Sequence, residues 1–166
     1  MPTRDSIENV IKNTVDLALV TLPVKEPRVR VTPLRPQMLV AILPGDAEQV
    51  PDVITPEYAA RQSLVLEHER GAVHALVTQW LSEEMPLSSR PMLLGTVEAM
   101  KTVVSLGLGM SIVPDVAVAD SIPNIIVRPL QPEIPCTLGL MERISKQNNP
   151  ALDIVREALL ELKTTV

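Results

Sequence analysis

Aromatic residues are almost absent from this chain of 166 residues, which has one Tyr (Tyr58), one Trp (Trp80) and no Phe. Since 46% of the residues are hydrophobic, the core must be built from aliphatic side chains. The sequence also lacks a run of Lys and Arg, and its net charge is −5. Proteins that stack nucleic-acid bases need aromatic platforms, and DNA-binding surfaces need clustered positive charge. We therefore expect no direct nucleic-acid contact and no binding to an anionic membrane.

Cysteine is equally scarce, because Cys136 is the only one and cannot form an internal disulfide. This usage fits a reducing compartment. The first residues, Met1 to Ser6, have no apolar signal core. No uninterrupted apolar run approaches the roughly 18 residues that a membrane-spanning helix needs. The sequence therefore predicts a cytoplasmic protein of one domain or two small lobes.

Apolar runs typical of strands alternate with segments of helical periodicity, which predicts an α/β fold with mostly parallel sheets. The predicted helices span residues 6–13, 72–84, 97–106, 115–120 and 150–163. The predicted strands or extended segments span residues 15–20, 28–34, 38–43, 63–66, 92–94, 110–113, 125–130 and 137–141. The 16 prolines separate these runs and act as breaks between elements.

The stretch from Glu98 to Asp115 reads as a helix, a Gly-Leu-Gly turn, a short strand and a proline. In this it resembles the effector-binding domain of LysR-type transcriptional regulators. Four further segments match that family in place and order, namely residues 15–23, 33–44, 126–130 and 149–152. The resemblance therefore covers nearly the whole chain.

The resemblance implies two Rossmann-like lobes of the type II periplasmic-binding-protein kind, with a cleft between them. Lobe one comprises residues 1–58 plus 136–166, and lobe two comprises residues 59–135, with crossings near residues 55–60 and 131–135. The family's winged helix-turn-helix, its linker helix and the first strand, helix and strand of lobe one have no counterpart in this sequence. We therefore expect a truncated lobe one and no DNA-binding domain. The family's dimer contact pairs a helix from that absent part with residues 72–84, so self-association through an open sheet edge is expected instead.

Ligands of open α/β sheets lie beyond the carboxyl ends of the strands, against helix N-termini that favour anions. By the resemblance, two loops of lobe two line the effector cleft, and two threonines close it from lobe one. The candidate effector-binding residues are Thr21, Thr32, His68, Glu69, Arg70, Gly95 and Thr96. Four of these residues also have a simpler, structural interpretation. Thr96 can be an ordinary helix N-cap, Arg70 a solvated charge, and both other threonines strand-end packing.

The function that these features favour is a sensor module that binds a small, anionic metabolite and, in a complete regulator, biases a DNA-binding domain. The alternative is a solute-binding or enzyme domain with the same two-lobed fold. Glu67, His68, Glu69 and His74 could serve as metal ligands or as an acid–base pair, but their spacing matches no metal-binding helix motif. A Gly-x-Ser-x-Gly nucleophile turn is absent. We therefore expect neither catalysis, nor a metal, nor a cofactor.

The Gly107-Leu-Gly109 motif superficially resembles part of a phosphate-binding loop. It follows a predicted helix, whereas a dinucleotide-binding loop precedes one. The motif therefore predicts a helix C-cap and a tight turn.

Overall fold

The computed structural model describes residues 3–120, 123–144 and 150–161. The chain forms two compact units, of which unit 1 comprises residues 1–36 and 136–166, and unit 2 comprises residues 37–135. The family resemblance assigns residues 37–58 to lobe one, whereas in the structure these residues belong to unit 2. The reason is strand pairing over long sequence distances, since Leu39 lies opposite Pro114 and Val40 lies opposite Pro129.

Five α-helices and seven strands make up the described part of the chain. The helices are α1 (Thr3–Ile11), α2 (Pro56–Ala60), α3 (Ala72–Trp80), α4 (Val97–Ser105) and α5 (Pro150–Leu160). The strands are β1 (Leu17–Leu22), β2 (Val29–Pro44), β3 (Leu64–Glu67), β4 (Met92–Leu94), β5 (Met110–Pro114), β6 (Ile125–Pro129) and β7 (Pro135–Arg143). Short 3-10 turns cover Ser82–Glu84 and Asp115–Val118, where the sequence predicted helix. Asn149, the first residue of the family-matching segment 149–152, and the predicted extension of the last helix over residues 162–163 lie outside the described residues.

Unit 1 is organised around the antiparallel pair of β1 and β7, in which Val20 lies opposite Gly139. Its core is aliphatic, as the composition requires, and contains Val10, Val20, Val29 and Met141. Val10 comes from α1, so this helix is held to the strands by burial of its apolar side.

An ion-pair network joins three elements of unit 1. Glu142, at the end of β7, accepts a hydrogen bond from Nε of Arg156 in α5 at 2.9 Å. Its other oxygen lies 3.5 Å from Nη1 of Arg30 in β2. Through the buried Glu142, these pairings connect α5 and β2 with β7.

Unit 2 contains a mixed sheet, in contrast to the mostly parallel sheets that the sequence predicted. The second half of β2 pairs antiparallel with both β5 and β6. Strand β3 pairs in parallel, with β4 on one side and β5 on the other. One face of this sheet packs on α4 through a cluster of fully buried aliphatic residues, namely Ile42, Val65, Met100, Val104 and Val113.

Strand β2 is continuous over 16 residues, although the sequence predicted two separate extended segments. Pro33 and Pro36 lie inside it, and both are exposed. Proline is compatible with the extended backbone and is tolerated where its missing N–H removes no hydrogen bond. The strand therefore passes from unit 1 into unit 2 without interruption. None of the described helices is long and apolar enough to cross a membrane.

Candidate functional site

Two neighbouring parallel strands of unit 2 end at the same point. Strands β3 and β4 pair with Glu67 opposite Leu94, and the His68 backbone N–H donates to the Leu94 carbonyl at 2.9 Å. The loop after β3 therefore lies directly beside the Gly95–Thr96 turn after β4. The structure thus places the loop that carries His68, Glu69 and Arg70 next to the turn that carries Gly95 and Thr96.

Thr96 is the N-cap of α4. Its Oγ1 accepts a hydrogen bond from the Ala99 backbone N–H at 3.2 Å, and its own backbone is extended (φ −141°, ψ 147°). The capping role uses the hydroxyl oxygen as an acceptor and leaves the hydroxyl proton to donate elsewhere. The structural and the ligand-binding interpretations of Thr96 are therefore compatible.

Gly95 leaves the start of α4 open. A Cβ placed on Gly95 would have no other atom within 4 Å, and both Gly95 and Thr96 are exposed. The backbone N–H groups of the first helical turn carry partial positive charge and have no partners inside the helix. An anion can therefore approach this helix end without displacing a protein group.

The start of α3 is different, because a carboxylate of the protein itself occupies it. Glu67 Oε2 accepts a hydrogen bond from the His74 backbone N–H at 3.3 Å. The N-cap residue, Gly71, has no side chain, and a Cβ there would lie 2.0 Å from Glu67 Oε2. Gly71 therefore makes room for the Glu67 carboxylate, which acts as the cap of α3 from the end of β3.

Burial of Glu67 raises the pKa of its carboxyl group, and hydrogen bonds from the backbone N–H groups of His74 and Val73 oppose this effect. His74 Nδ1 lies 2.8 Å from the Glu67 backbone carbonyl, which orients the imidazole ring. The sequence singled out Glu67 and His74 only as candidate metal ligands or as an acid–base pair. Their capping arrangement depends on a contact across seven residues, for which the sequence carries no local signal.

The raised pKa of Glu67 predicts how the free energy of unfolding depends on pH. As the pH rises above about 4.3, the ordinary value for Glu, the unfolded chain loses its proton first, and the folded chain loses it at higher pH. The free energy of unfolding contributed by this group therefore falls as pH rises through that window. Glu67→Gln keeps an oxygen that accepts from His74 but does not titrate, so this fall should shrink in the variant.

Urea unfolding of both proteins between pH 4 and pH 7 measures this difference. Glu67→Ala is the control, because it removes the titrating group and the cap together, so relative to Glu67→Gln it should cost about 0.5–2 kcal/mol at every pH. A Glu67→Gln variant with an unchanged pH profile would contradict the assignment.

A small cavity of about 180 Å³ lies beside the loop that follows β3. Its apolar lining includes Leu66 and Leu93 from the strands and Leu81 after α3, and Glu69 and His74 add polar groups. The candidate residue Glu69 therefore borders an apolar space as well as solvent.

The two candidate residues from lobe one lie in unit 1. Thr21 is opposite Leu138 in the β1–β7 pair, and Thr32 lies in the first half of β2. Both side chains are half-buried within their own unit. Their participation in an effector site stays a prediction.

Metal binding finds no support in the described ranges, where no group of three or more His, Cys, Asp and Glu residues is placed to hold an ion. The Gly107-Leu-Gly109 turn closes the end of α4, as predicted. The Gly107 N–H donates to the Val104 carbonyl at 2.9 Å, and Gly107 has φ 79°.

Comparison with solved structures shows the same fold in bacterial regulatory domains. The regulatory domain of CcmR from Synechocystis PCC6803, solved with 2-PG, has a TM-score of 0.81 at 17% identity, covering 100% of this chain and 82% of that one. The effector-binding domain of QuiR, solved with shikimate, has a TM-score of 0.81 at 20% identity, covering 99% and 79%. Full-length OxyR C199D from Pseudomonas aeruginosa has a TM-score of 0.78 at 21% identity, covering 96% of this chain.

The present chain spans 55% of the length of that full-length OxyR. No functionally curated protein sequence matches it. The sequence family described as LysR substrate binding domain matches residues 1–163, nearly the whole chain. This confirms the family that the order of the motifs indicated. The chain therefore belongs to the LysR substrate binding domain family, the effector-binding domains of LysR-type transcriptional regulators.

Proposed function

We propose that this chain senses a small organic anion whose charged group binds where β3 and β4 end, at the start of α4. The observation that carries this proposal is the parallel register of β3 and β4, which sets Gly95 and Thr96 beside His68. The site then offers a hydroxyl donor, unpaired helix N–H groups and nearby basic side chains. Such a set favours a carboxylate or a phosphate over a neutral ligand.

We place the anion at the start of α4 and not at the start of α3 because of the position of Glu67. Its carboxylate already caps α3, so a second anion at that helix start would meet like charge. The start of α4 has Thr96 as its cap and open space at Gly95. The residues that we assign to the anion are therefore Gly95 and Thr96, with His68 and Arg70 supplying positive charge or hydrogen bonds from the adjacent loop.

Two structural relatives support the chemical class. The CcmR domain was solved with 2-PG and the QuiR domain with shikimate. Shikimate is a carboxylate, and 2-phosphoglycolate carries both a carboxylate and a phosphate. A small, polar anion of this kind fits the donors at the start of α4.

We also propose that the chain is a sensor and not a catalyst. The candidate acid–base pair is committed to structure, since Glu67 caps α3 and His74 Nδ1 is held by a backbone carbonyl. Contact with DNA would be made by another domain of a complete regulator. Self-association and a cytoplasmic location belong to the same proposal.

Substitution of Thr96 tests the site. In Thr96→Ala the hydroxyl donor to a charged ligand is lost, which should weaken binding by about tenfold or more. Isothermal titration calorimetry with shikimate, 2-phosphoglycolate and other small carboxylates as probes, chosen by the rise in melting temperature that they cause, measures the affinity. Thr96→Ser should retain most of it.

Loss of the cap should also lower the free energy of unfolding of Thr96→Ala by about 0.5–2 kcal/mol, measured separately in urea. Thr102→Ala is a matched control, because Thr102 is an exposed threonine of the same helix whose hydroxyl donates to the Glu98 carbonyl at 2.9 Å. It should leave affinity unchanged. Equal affinities in Thr96→Ala and the unmodified chain would remove Thr96 from the site.

A further inference from the structure

The cavity beside the loop after β3 lies on the face of the sheet that is turned away from α4. Side chains along a strand alternate between the two faces, and Val65 and Leu94 belong to the cluster that packs on α4. Leu66 follows Val65 and Leu93 precedes Leu94, so both point to the other face, where they line the cavity of about 180 Å³. The cavity is therefore separate from the start of α4, where we place the effector anion.

Helix α3 and the segment before β4 complete the lining with mostly apolar groups. His74, Thr78 and Leu81 are spaced four and three residues apart, so they lie on one side of α3 and its C-terminal end. The remaining lining residues are Glu69, Met85, Leu87, Arg90 and Pro91. Glu69 and Arg90 carry opposite charges, so the lining has no net charge when His74 is neutral. This composition favours a neutral, largely apolar ligand over an ion.

His74 provides this lining with a hydrogen-bond acceptor. Its Nδ1 lies 2.8 Å from the Glu67 backbone carbonyl oxygen, which can only accept, so Nδ1 carries the proton. In the neutral ring Nε2 is then an acceptor with a lone pair. Within the described part of the chain Nε2 has no partner, and it is not one of the polar atoms that are sealed from solvent without a partner. Nε2 is therefore the ring nitrogen that is open to a ligand.

The volume and the chemistry of the cavity match a single six-membered ring. A protein cavity of about 150 Å³ with apolar walls stays dry and binds benzene, and the present cavity is of similar volume. The thioether of Met85 adds a sulfur contact that favours aromatic rings. We propose that the cavity binds a neutral, monocyclic aromatic molecule with one hydroxyl group, which donates to Nε2 of His74. The ring lies against Leu66, Leu81 and Leu93.

Titration of the full chain with phenol at pH 7 tests the proposal, followed by calorimetry and by the resonances of ¹³C-labelled methionine methyl groups. Saturable binding should shift the resonance of Met85, which lines the cavity, and leave that of Met100, in the cluster on α4, in place. Benzoate, an anion of similar size, should not shift Met85. Failure of phenol to shift Met85, or an equal shift with benzoate, would overturn the proposal.

Comparison with toluene, in which a methyl group replaces the hydroxyl, tests the role of His74. His74→Asn keeps an N–H donor near the Glu67 carbonyl and removes Nε2, so the ratio of phenol affinity to toluene affinity should fall by about three- to tenfold. The ratio corrects for the space that the smaller side chain leaves. Thr78→Val removes the hydroxyl of the lining and should leave the ratio unchanged. An unchanged ratio in His74→Asn, or a fall in Thr78→Val alone, contradicts the assigned acceptor.

Leu93→Phe places a ring of the protein itself in the cavity and should abolish phenol binding in the folded chain. Met92→Phe is the matched control, because Met92 precedes Leu93 in β4, is 45% exposed and does not line the cavity. It should bind phenol as the unmodified chain does, and so should Thr96→Ala. Undiminished binding in Leu93→Phe sinks the proposal, and so does a loss of phenol binding in Thr96→Ala, which would place the ligand in the effector site.

Discussion

Replacement of Gly109 by Ala should lower the free energy of unfolding by about 2–4 kcal/mol. Gly109 has φ 150°, a conformation that side chains rarely adopt, and a Cβ there would lie 2.4 Å from the Ser63 carbonyl oxygen. That oxygen accepts the Met110 N–H at 2.9 Å, immediately before β3 and β5 pair with Leu64 opposite Met110. The clash is with backbone, so the new methyl group must push apart the start of the β3–β5 pair.

Gly107→Ala is the matched control for this experiment. Gly107 also has positive φ, at 79°, but a Cβ on it would have no atom within 4 Å. It should therefore cost only the strain of the backbone conformation, about 1–2 kcal/mol. Urea unfolding followed by Trp80 fluorescence measures both, because Trp80 lies in the same unit. Equal losses in the two variants would contradict a steric role for Gly109.

Most elements of the fold could be predicted from local sequence, because their signals are local. The aliphatic runs at β1, β3 and β5, and the helical spacing in α3 and α4, matched the observed elements closely. The direction of strand pairing could not be predicted in the same way. Whether β2 runs antiparallel to β5 depends on residues far apart in the sequence, such as Leu39 and Pro114, which are 75 positions apart.

The boundary between the two units could not be predicted from local sequence either. Prolines in the run from Pro33 to Pro36 suggested a break between two segments, but an extended backbone accommodates them within one strand. The boundary between the units then falls inside β2, after Pro36, a position that no compositional change marks.

Part of the candidate site could be predicted, because its sequence signal is local. A threonine before an apolar, helix-periodic segment predicts an N-cap, and Thr96 has this role. The capping of α3 by Glu67 was not predicted, because the carboxylate reaches its helix from the end of a strand instead of from the N-cap position.

Truncation of Ile42 should be the most damaging single change in the core of unit 2. Ile42 is 0% exposed and contacts a cluster with Val65, Met100, Val104 and Val113. It lies in β2 between two partner strands, opposite Ser111 on one side and Val127 on the other. Ile42→Ala should therefore cost about 2–5 kcal/mol, from lost burial and from the cavity that the surrounding strands cannot close.

Val127→Ala is the control, because Val127 is the residue directly opposite Ile42 in β6 and is 39% exposed. Removing part of an exposed side chain should cost less than about 1 kcal/mol. Both losses are measured by urea unfolding with Trp80 fluorescence. The large difference follows from composition, because the buried core of the described chain contains no aromatic ring, and Tyr58 and Trp80 are only half-buried. No large aromatic ring is present there to shift into the space, so a loss at Ile42 as small as that at Val127 would contradict a tightly packed aliphatic core.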